Sequence, residues 1–128
     1  MKTLFSIIFP VVIIGFFLLQ VSPLTQTGQQ SGSAYPDNVK KIIDSKCYGC
    51  HKVDGKSQDA KDALMWDSLP GLQKSRVIAT LDDIIKVLEK NEMPPSSVVK
   101  KYPEMKLLSE ESKIMQSWAR SWVDSLLK

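Results

Sequence analysis

Histidine and cysteine are nearly absent from this chain, and the few that occur lie together. The one His and both Cys fall in the window Cys47-Tyr48-Gly49-Cys50-His51. A structural zinc site needs about four nitrogen or sulfur ligands, and no second cluster exists to complete one. A thioredoxin-like redox pair is expected near a βαβ pattern, which does not follow here. A disulfide between Cys47 and Cys50 would close a very small loop and would constrain the unfolded chain little.

Two other patterns are also missing from the sequence. No segment sustains the alternation of apolar and polar residues that marks a half-buried strand, so we expect an all-α fold. The net charge is only +3, from 17 Lys and Arg against 14 Asp and Glu. The lysines are scattered rather than gathered in a strip with aromatic residues. We therefore expect no nucleic-acid partner.

The five-residue window matches C-x-x-C-H, the attachment motif for haem c. Two thiols at this spacing lie near each other on one turn and can add to the two vinyl groups of one porphyrin. The adjacent His51 then directs its imidazole toward the iron from the proximal side. The sequence predicts one covalently attached haem c, with Cys47 and Cys50 as the attachment points and His51 as an iron ligand.

The N-terminus holds the one long apolar run of the chain. Residues 4–19 read LFSIIFPVVIIGFFLL and follow Lys2, the one charge before Asp37. This length lies between a secretory signal and a membrane-spanning helix, so residues 1–21 are predicted to be either a cleaved signal peptide or a retained membrane anchor. Because the cationic end stays inside, both alternatives export the rest of the chain. We expect it in the periplasm, soluble or tethered to the inner membrane.

Two segments follow the apolar run. Residues 22–35 are rich in Gln, Ser, Thr and Gly without periodicity, which predicts a flexible linker. Residues 36–128 form one small haem-binding domain, and a bound haem would complete a core that a domain of this size builds with difficulty.

Apolar residues at helical spacing divide this domain. They predict a helix after Pro36, a second helix through Leu81 and Leu88, and a last helix after Ser109. Thr80 and Ser109 are the expected N-caps of the second and last helices. A loop is expected between these two helices, from Met93 onward.

A methionine is the usual sixth ligand of the iron in His/Met cytochromes c. Met1 lies in the export segment and Met115 on the apolar face of a helix. The remaining candidates are Met65, Met93 and Met105. Met93 is the strongest, because the two prolines that follow it hold the backbone extended and stiffen the loop. Met65 is its main rival, and a gap-filling core role is the alternative for Met93.

Four motifs stand in order along the domain. They are Cys47-Tyr48-Gly49-Cys50-His51, Asn91-Glu92-Met93-Pro94-Pro95, Tyr102-Pro103-Glu104, and Leu108-Ser109-Glu110-Glu111 leading to Trp118-Ala119. Together they resemble the small monohaem "haem-binding domain" family of c-type cytochromes, from about Pro36 to the C-terminus. The resemblance implies a small cytochrome c-like helical fold with the first and last helices packed together beside the haem. It also implies Cys47 and Cys50 as thioether donors, His51 as proximal ligand and Met93 as distal ligand.

The segment Leu69-Pro70-Gly71-Leu72 is similar to the proline loop that holds the proximal histidine in related cytochromes. A ligating His usually donates its other ring N–H to a carbonyl or carboxylate. The resemblance therefore implies the Pro70 carbonyl as the acceptor for His51, and an ordinary turn is the alternative.

These features predict a monohaem c-type cytochrome that transfers single electrons through a His/Met-ligated haem to a redox partner protein of unknown identity. The alternative is a haem-based small-ligand sensor, or a peroxidase-like protein with an open sixth site. The chain has no distal His and no evident acid–base pair, so we expect no enzyme activity.

Overall fold

The computed structural model describes residues 34–128 of the chain. Within this range the chain forms α-helices joined by helical turns and loops, and it contains no strand. The helices are α1 (Asp37–Ile42), α2 (Gln58–Ala63), α3 (Lys74–Glu89), α4 (Ser96–Lys101) and α5 (Ser109–Leu127). The all-α prediction is confirmed for these residues. The predicted signal or anchor segment, residues 1–21, lies outside them, as does nearly all of the linker.

Helices α3 and α5 pack against each other at the centre of the fold. The inward face of α3 carries apolar residues at spacings of three and four, which is the pattern of an amphipathic helix. These residues are Val77, Leu81, Ile84, Ile85 and Leu88. Helix α5 contributes Met115 and Ala119, which are 2% and 0% exposed. Each Leu or Ile buried in this way stabilises the fold by about 1.5–3 kcal/mol relative to an exposed one.

Helix α1 lies against α5, so the first and last described helices pack together. The chain continues from α1 as a π-helical turn over Ile43–Cys47. There the N–H of Tyr48 donates to the Ile43 carbonyl at 2.8 Å, and the Ser45 hydroxyl donates to the Lys41 carbonyl at 2.8 Å. Such turns are rare and often occur at functional sites. This one carries Cys47 and leads into the C-x-x-C-H motif.

The two N-cap predictions are wrong. Helix α3 begins at Lys74, so Thr80 lies in its interior, because the apolar face extends back to Val77. Helix α5 begins at Ser109 itself and its cap position is Leu108. The Glu111 carboxylate accepts a hydrogen bond from the Leu108 N–H at 2.8 Å. The glutamate at the third position of the helix thus satisfies the N–H of the cap residue, which is the acidic half of a capping box.

Two residues after the end of α3, Asn91 adopts the left-handed conformation, with a φ of 55°. The N–H of Asn91 donates to the Leu88 carbonyl at 3.2 Å, and the N–H of Glu92 donates to the Val87 carbonyl at 2.8 Å. This pair of bonds is the Schellman motif, which satisfies carbonyls at a helix end and turns the chain away. The segment that leaves the helix contains Met93.

The region after Met93 is more ordered than the expected loop. The Met93–Pro94 peptide bond is cis, and the short helix α4 begins directly after Pro95. A 3₁₀ turn over Pro103–Met105 then leads toward α5. Together with α4, this turn forms one side of the cleft described next.

Within residues 34–128, no helix has both the length and the apolar character needed to cross a membrane.

Candidate haem site

One cleft collects the four residues that the sequence singles out. It has an outer lobe of about 340 Å³ and an inner lobe of about 120 Å³. Cys47, His51 and Met93 line both lobes, and Cys50 lines the outer lobe. Met93 is far from the others in sequence, and the turn at the end of α3 brings it back to them. The fold therefore places two thiols, one imidazole and one thioether around a single cavity.

The walls of this cleft are predominantly apolar. The apolar residues that line its inner lobe include Leu64, Trp66, Ile84, Val87, Leu88, Leu107 and Met115. Those that line its outer lobe include Ala60, Ala63, Pro94, Pro95, Val98 and Met105. Ligand sites for flat apolar molecules have this composition, with a few polar groups that fix orientation. The lining is therefore compatible with a flat apolar ligand such as a porphyrin.

A backbone carbonyl orients the His51 ring. Nδ1 of His51 lies 2.9 Å from the Leu64 carbonyl oxygen. A carbonyl can only accept, so Nδ1 carries the proton and donates it. This places the lone pair of the neutral ring on Nε2, the nitrogen left free to bind a metal.

The prediction that Pro70 supplies this carbonyl is wrong. Helix α2 ends at Ala63, and Leu64 adopts an extended backbone with φ −160° and ψ 131°, which brings its carbonyl to His51. Pro70 lies in a separate 3₁₀ turn, Leu69–Gly71. It borders a groove beside Tyr48 rather than the cleft.

Residues 64–67, here called the cradle, hold the C-x-x-C-H motif at two further points. The N–H of Trp66 donates to the His51 carbonyl at 3.1 Å. The Tyr48 hydroxyl donates to the Asp67 carboxylate at 2.9 Å, and this hydrogen bond raises the pKa of Tyr48. The cradle is anchored in turn, because the Tyr35 hydroxyl donates to the Trp66 carbonyl. The position of His51 is therefore set by both its ring and its backbone.

Gly55 supports the motif, although sequence patterns did not single it out. Its N–H donates to the Lys52 carbonyl at 2.9 Å. A Cβ at this position would overlap the Cys50 carbonyl and lie 2.9 Å from the Lys52 carbonyl oxygen. The loop after His51 thus folds back on the motif so closely that only glycine fits. A lone glycine in a polar loop ordinarily indicates a turn, so the signal in the sequence was weak.

The methionines differ in whether they line the cleft. Met93 lines both lobes, Met105 lines the outer lobe and Met115 lines the inner lobe. Met65, the expected rival of Met93, lines neither lobe. Met115 was set aside as a residue of an apolar helix face, and that face is part of the cleft wall. Met93 is 38% exposed, so part of this residue is open to solvent.

Cys47 lacks the lowered pKa of a reactive redox thiol. Burial and, to a lesser degree, the negative charge of Glu111 raise the pKa of Cys47 to about 12. Thioredoxin-like pairs depend instead on a lowered thiol pKa. Cys47 and Cys50 are both free thiols in the structure. Within residues 34–128, no three His, Cys, Asp or Glu side chains form a group that could hold a metal ion.

No family model, no curated protein and no solved structure matches this chain.

One buried polar side-chain atom has no hydrogen-bond partner among the described residues. The indole Nε1 of Trp66 is buried and makes no hydrogen bond. The Trp66 residue is 3% exposed and lines the inner lobe. An unsatisfied buried donor costs about 1–3 kcal/mol.

Lys46 joins the two sides of the outer lobe. Its Nζ donates to the Glu104 carbonyl, and Lys46 itself lines the lobe beside Cys47. The bond links the π-helical turn to the 3₁₀ turn that carries Met105.

Proposed function

We propose that the protein is a monohaem c-type cytochrome that transfers single electrons. The observation that carries the proposal is the convergence of two thiols, a carbonyl-oriented imidazole and a thioether on one apolar cleft. A bound haem c would supply the one-electron Fe(III)/Fe(II) couple. The fold we propose is accordingly cytochrome c-like, with α1 and α5 packed together near the cleft.

Each residue has a separate task in this proposal. Cys47 and Cys50 attach the porphyrin through thioether bonds. His51 binds iron through Nε2, since Leu64 engages Nδ1. Met93 offers a soft thioether, which favours the reduced metal and raises the potential relative to harder ligands. The apolar walls keep water away from the metal.

The same proposal assigns a compartment and a partner. Haem c attachment takes place in an oxidising, exported environment, so we propose a periplasmic protein, either soluble or tethered by residues 1–21. Its partner would be another redox protein. Mass spectrometry of the native protein decides between the two forms: a full N-terminus with membrane sedimentation establishes the anchor, and a soluble product that starts between Ser22 and Tyr35 establishes cleavage.

An optical spectrum of the purified holoprotein, oxidised and reduced, with and without carbon monoxide, tests the function. We expect six-coordinate low-spin iron in both oxidation states, a weak far-red sulfur-to-iron band in the oxidised form, and slow or absent carbon monoxide binding. High-spin iron that binds carbon monoxide readily would contradict electron transfer through a His/Met site. It would favour the sensor or peroxidase-like alternative.

A further inference from the structure

We propose that Asn91 is the positioning residue for Met93, acting through its left-handed backbone. The inference rests on the haem site proposed above and concerns how the chain aims the distal thioether. Asn91 has a φ of 55°, and it is the single residue of the described range, glycines included, with a positive φ. Within residues 34–128 the left-handed conformation therefore occurs once, two residues before Met93.

The conformation at Asn91 determines the direction in which the chain leaves α3. The bonds from the Asn91 and Glu92 N–H groups to the Leu88 and Val87 carbonyls close the helix end. Both carbonyl residues also line the cleft. The end of α3 is therefore part of the cavity wall, and the Schellman turn sends the next residues back across it.

Met93 is consequently held between two stiff elements. Asn91 turns the chain on one side, and on the other side Pro95 is extended, with φ −57° and ψ 143°, before α4 begins. The segment between them contains only Glu92, Met93 and Pro94. A change in backbone direction at Asn91 would displace the Met93 sulfur directly, because little chain remains to absorb it.

The Asn91 side chain itself is exposed, and no hydrogen bond from it occurs among the described residues. Its contribution is therefore conformational. Asn tolerates the left-handed region and Gly adopts it freely, whereas a β-branched residue resists it. If Asn91 acts through its backbone, Gly should replace it and Val should not. If its side chain made a needed contact, both replacements should fail.

The test compares full-length holoprotein variants. Asn91→Val should retain covalent haem but weaken the far-red sulfur-to-iron band. Its ferrous form should bind carbon monoxide about tenfold faster than the wild type, the factor that corresponds to the left-handed penalty of a branched side chain. Asn91→Gly should restore the wild-type band and rate. Lys90→Val is the matched control, since Lys90 is exposed and has an ordinary helical φ of −84°; it should behave as the wild type.

Thermal unfolding of each variant shows whether a weaker band comes from displacement of Met93 alone or from loss of stability of the whole domain. The proposal is overturned if Asn91→Val keeps the wild-type band and carbon monoxide rate, or if Asn91→Gly loses them as Asn91→Val does. The second outcome would show that the amide side chain matters. A wild type that holds covalent haem without a sulfur-to-iron band would overturn Met93 ligation, and with it this inference. A wild type without covalent haem would overturn the proposed function as a whole.

Discussion

The two sides of the cleft hold their candidate iron ligands by different means. On the His51 side, hydrogen bonds connect the motif to the cradle through the ring nitrogen, the backbone carbonyl and the neighbouring Tyr48. On the Met93 side, a left-handed residue and two prolines set the course of the backbone, and Met93 is 38% exposed.

This difference predicts different behaviour of the two ligands. Each hydrogen bond contributes about 0.5–1.5 kcal/mol, and several together resist rotation or loss of the imidazole. Backbone stiffness directs a side chain but does not prevent its detachment from a metal. We therefore expect His51 to remain bound under conditions in which Met93 is displaced.

The largest expected effect is loss of haem retention when the two cysteines on the His51 side of the cleft are replaced. We expect wild-type haem to stay with the polypeptide through denaturation and acid-acetone extraction. Cys50→Ala should leave one thioether and a less stable holoprotein, and replacement of both Cys47 and Cys50 by Ala should abolish covalent retention. Haem staining after denaturing electrophoresis and the mass of the intact chain report the result. Haem that extracts freely from the wild-type protein, or bound zinc found instead of haem, would contradict covalent haem c attachment.

Met93→Ala tests the other side of the comparison. It should abolish the far-red band, lower the reduction potential and open the iron to carbon monoxide, because the soft donor that stabilises Fe(II) is gone. Met65→Ala is the matched control, because the Met65 side chain does not line the cleft and the cradle holds the motif through Leu64, Trp66 and Asp67; it should leave the spectrum unchanged. Met105→Ala should cost stability at most. Retention of the band in Met93→Ala would show that another residue is the ligand.

Gly55→Ala should weaken the motif by steric overlap. Forced contact with the Cys50 and Lys52 carbonyls should lower the free energy of unfolding by about 1–3 kcal/mol. Gly71→Ala provides the control, because a Cβ there meets nothing within 4 Å. Chemical unfolding of both variants measures the difference. Equal stabilities of the two variants would mean that the loop after His51 is not closely packed on the motif.

The smallest expected effect concerns alkaline pH at the Tyr48–Asp67 contact. The hydrogen bond raises the pKa of Tyr48 above its ordinary value of 10.0, so the folded protein keeps this proton to higher pH than the unfolded chain. The resulting stabilisation is present below pH 10.0 and is lost as the pH rises toward the folded pKa. Tyr48→Phe should make the fall in unfolding free energy less steep in that range.

Tyr102→Phe is the control for this titration, since the Tyr102 ring is exposed and lies against the Lys101 ammonium. Unfolding free energies at about pH 8 and about pH 11 give the comparison. A slope in Tyr48→Phe identical to that of the wild type would show that the contact with Asp67 is not formed in solution. Tyr35, whose pKa is also raised, chiefly by burial, should contribute to the decline that remains, as should Cys47 in protein without attached haem.

Local patterns predicted the helical class but not the helix ends. The apolar spacing of Leu81, Ile84, Ile85 and Leu88 correctly identified the body of α3. Its start was misplaced at Thr80, since a capping signal inside a helix looks the same as one at its end. The turn that follows the end of α3 depends on the left-handed backbone of Asn91, which the Asn-Glu-Met-Pro-Pro motif allows but does not predict.

The ligand environment was less predictable than the candidate ligands. The C-x-x-C-H motif concentrates its chemistry in five adjacent residues, so Cys47, Cys50 and His51 were found from spacing alone. The acceptor for His51 was assigned to Pro70 by resemblance and is Leu64 in the structure. Both carbonyls follow the motif within a short distance in sequence, and only the path of the chain after α2 distinguishes them.

The sequence by itself determined an all-α domain and the residues on which a haem site can be built, because helical periodicity and the C-x-x-C-H spacing are local properties. Haem attachment and electron transfer stay predictions. Only the tertiary structure decided that Met93 shares a cleft with the motif, that Met65 does not line it, and that the loop at Gly55 lies against the Cys50 carbonyl. Those facts depend on contacts between segments that are brought together when α3 packs on α5 and the chain turns at Asn91, which no local pattern encodes.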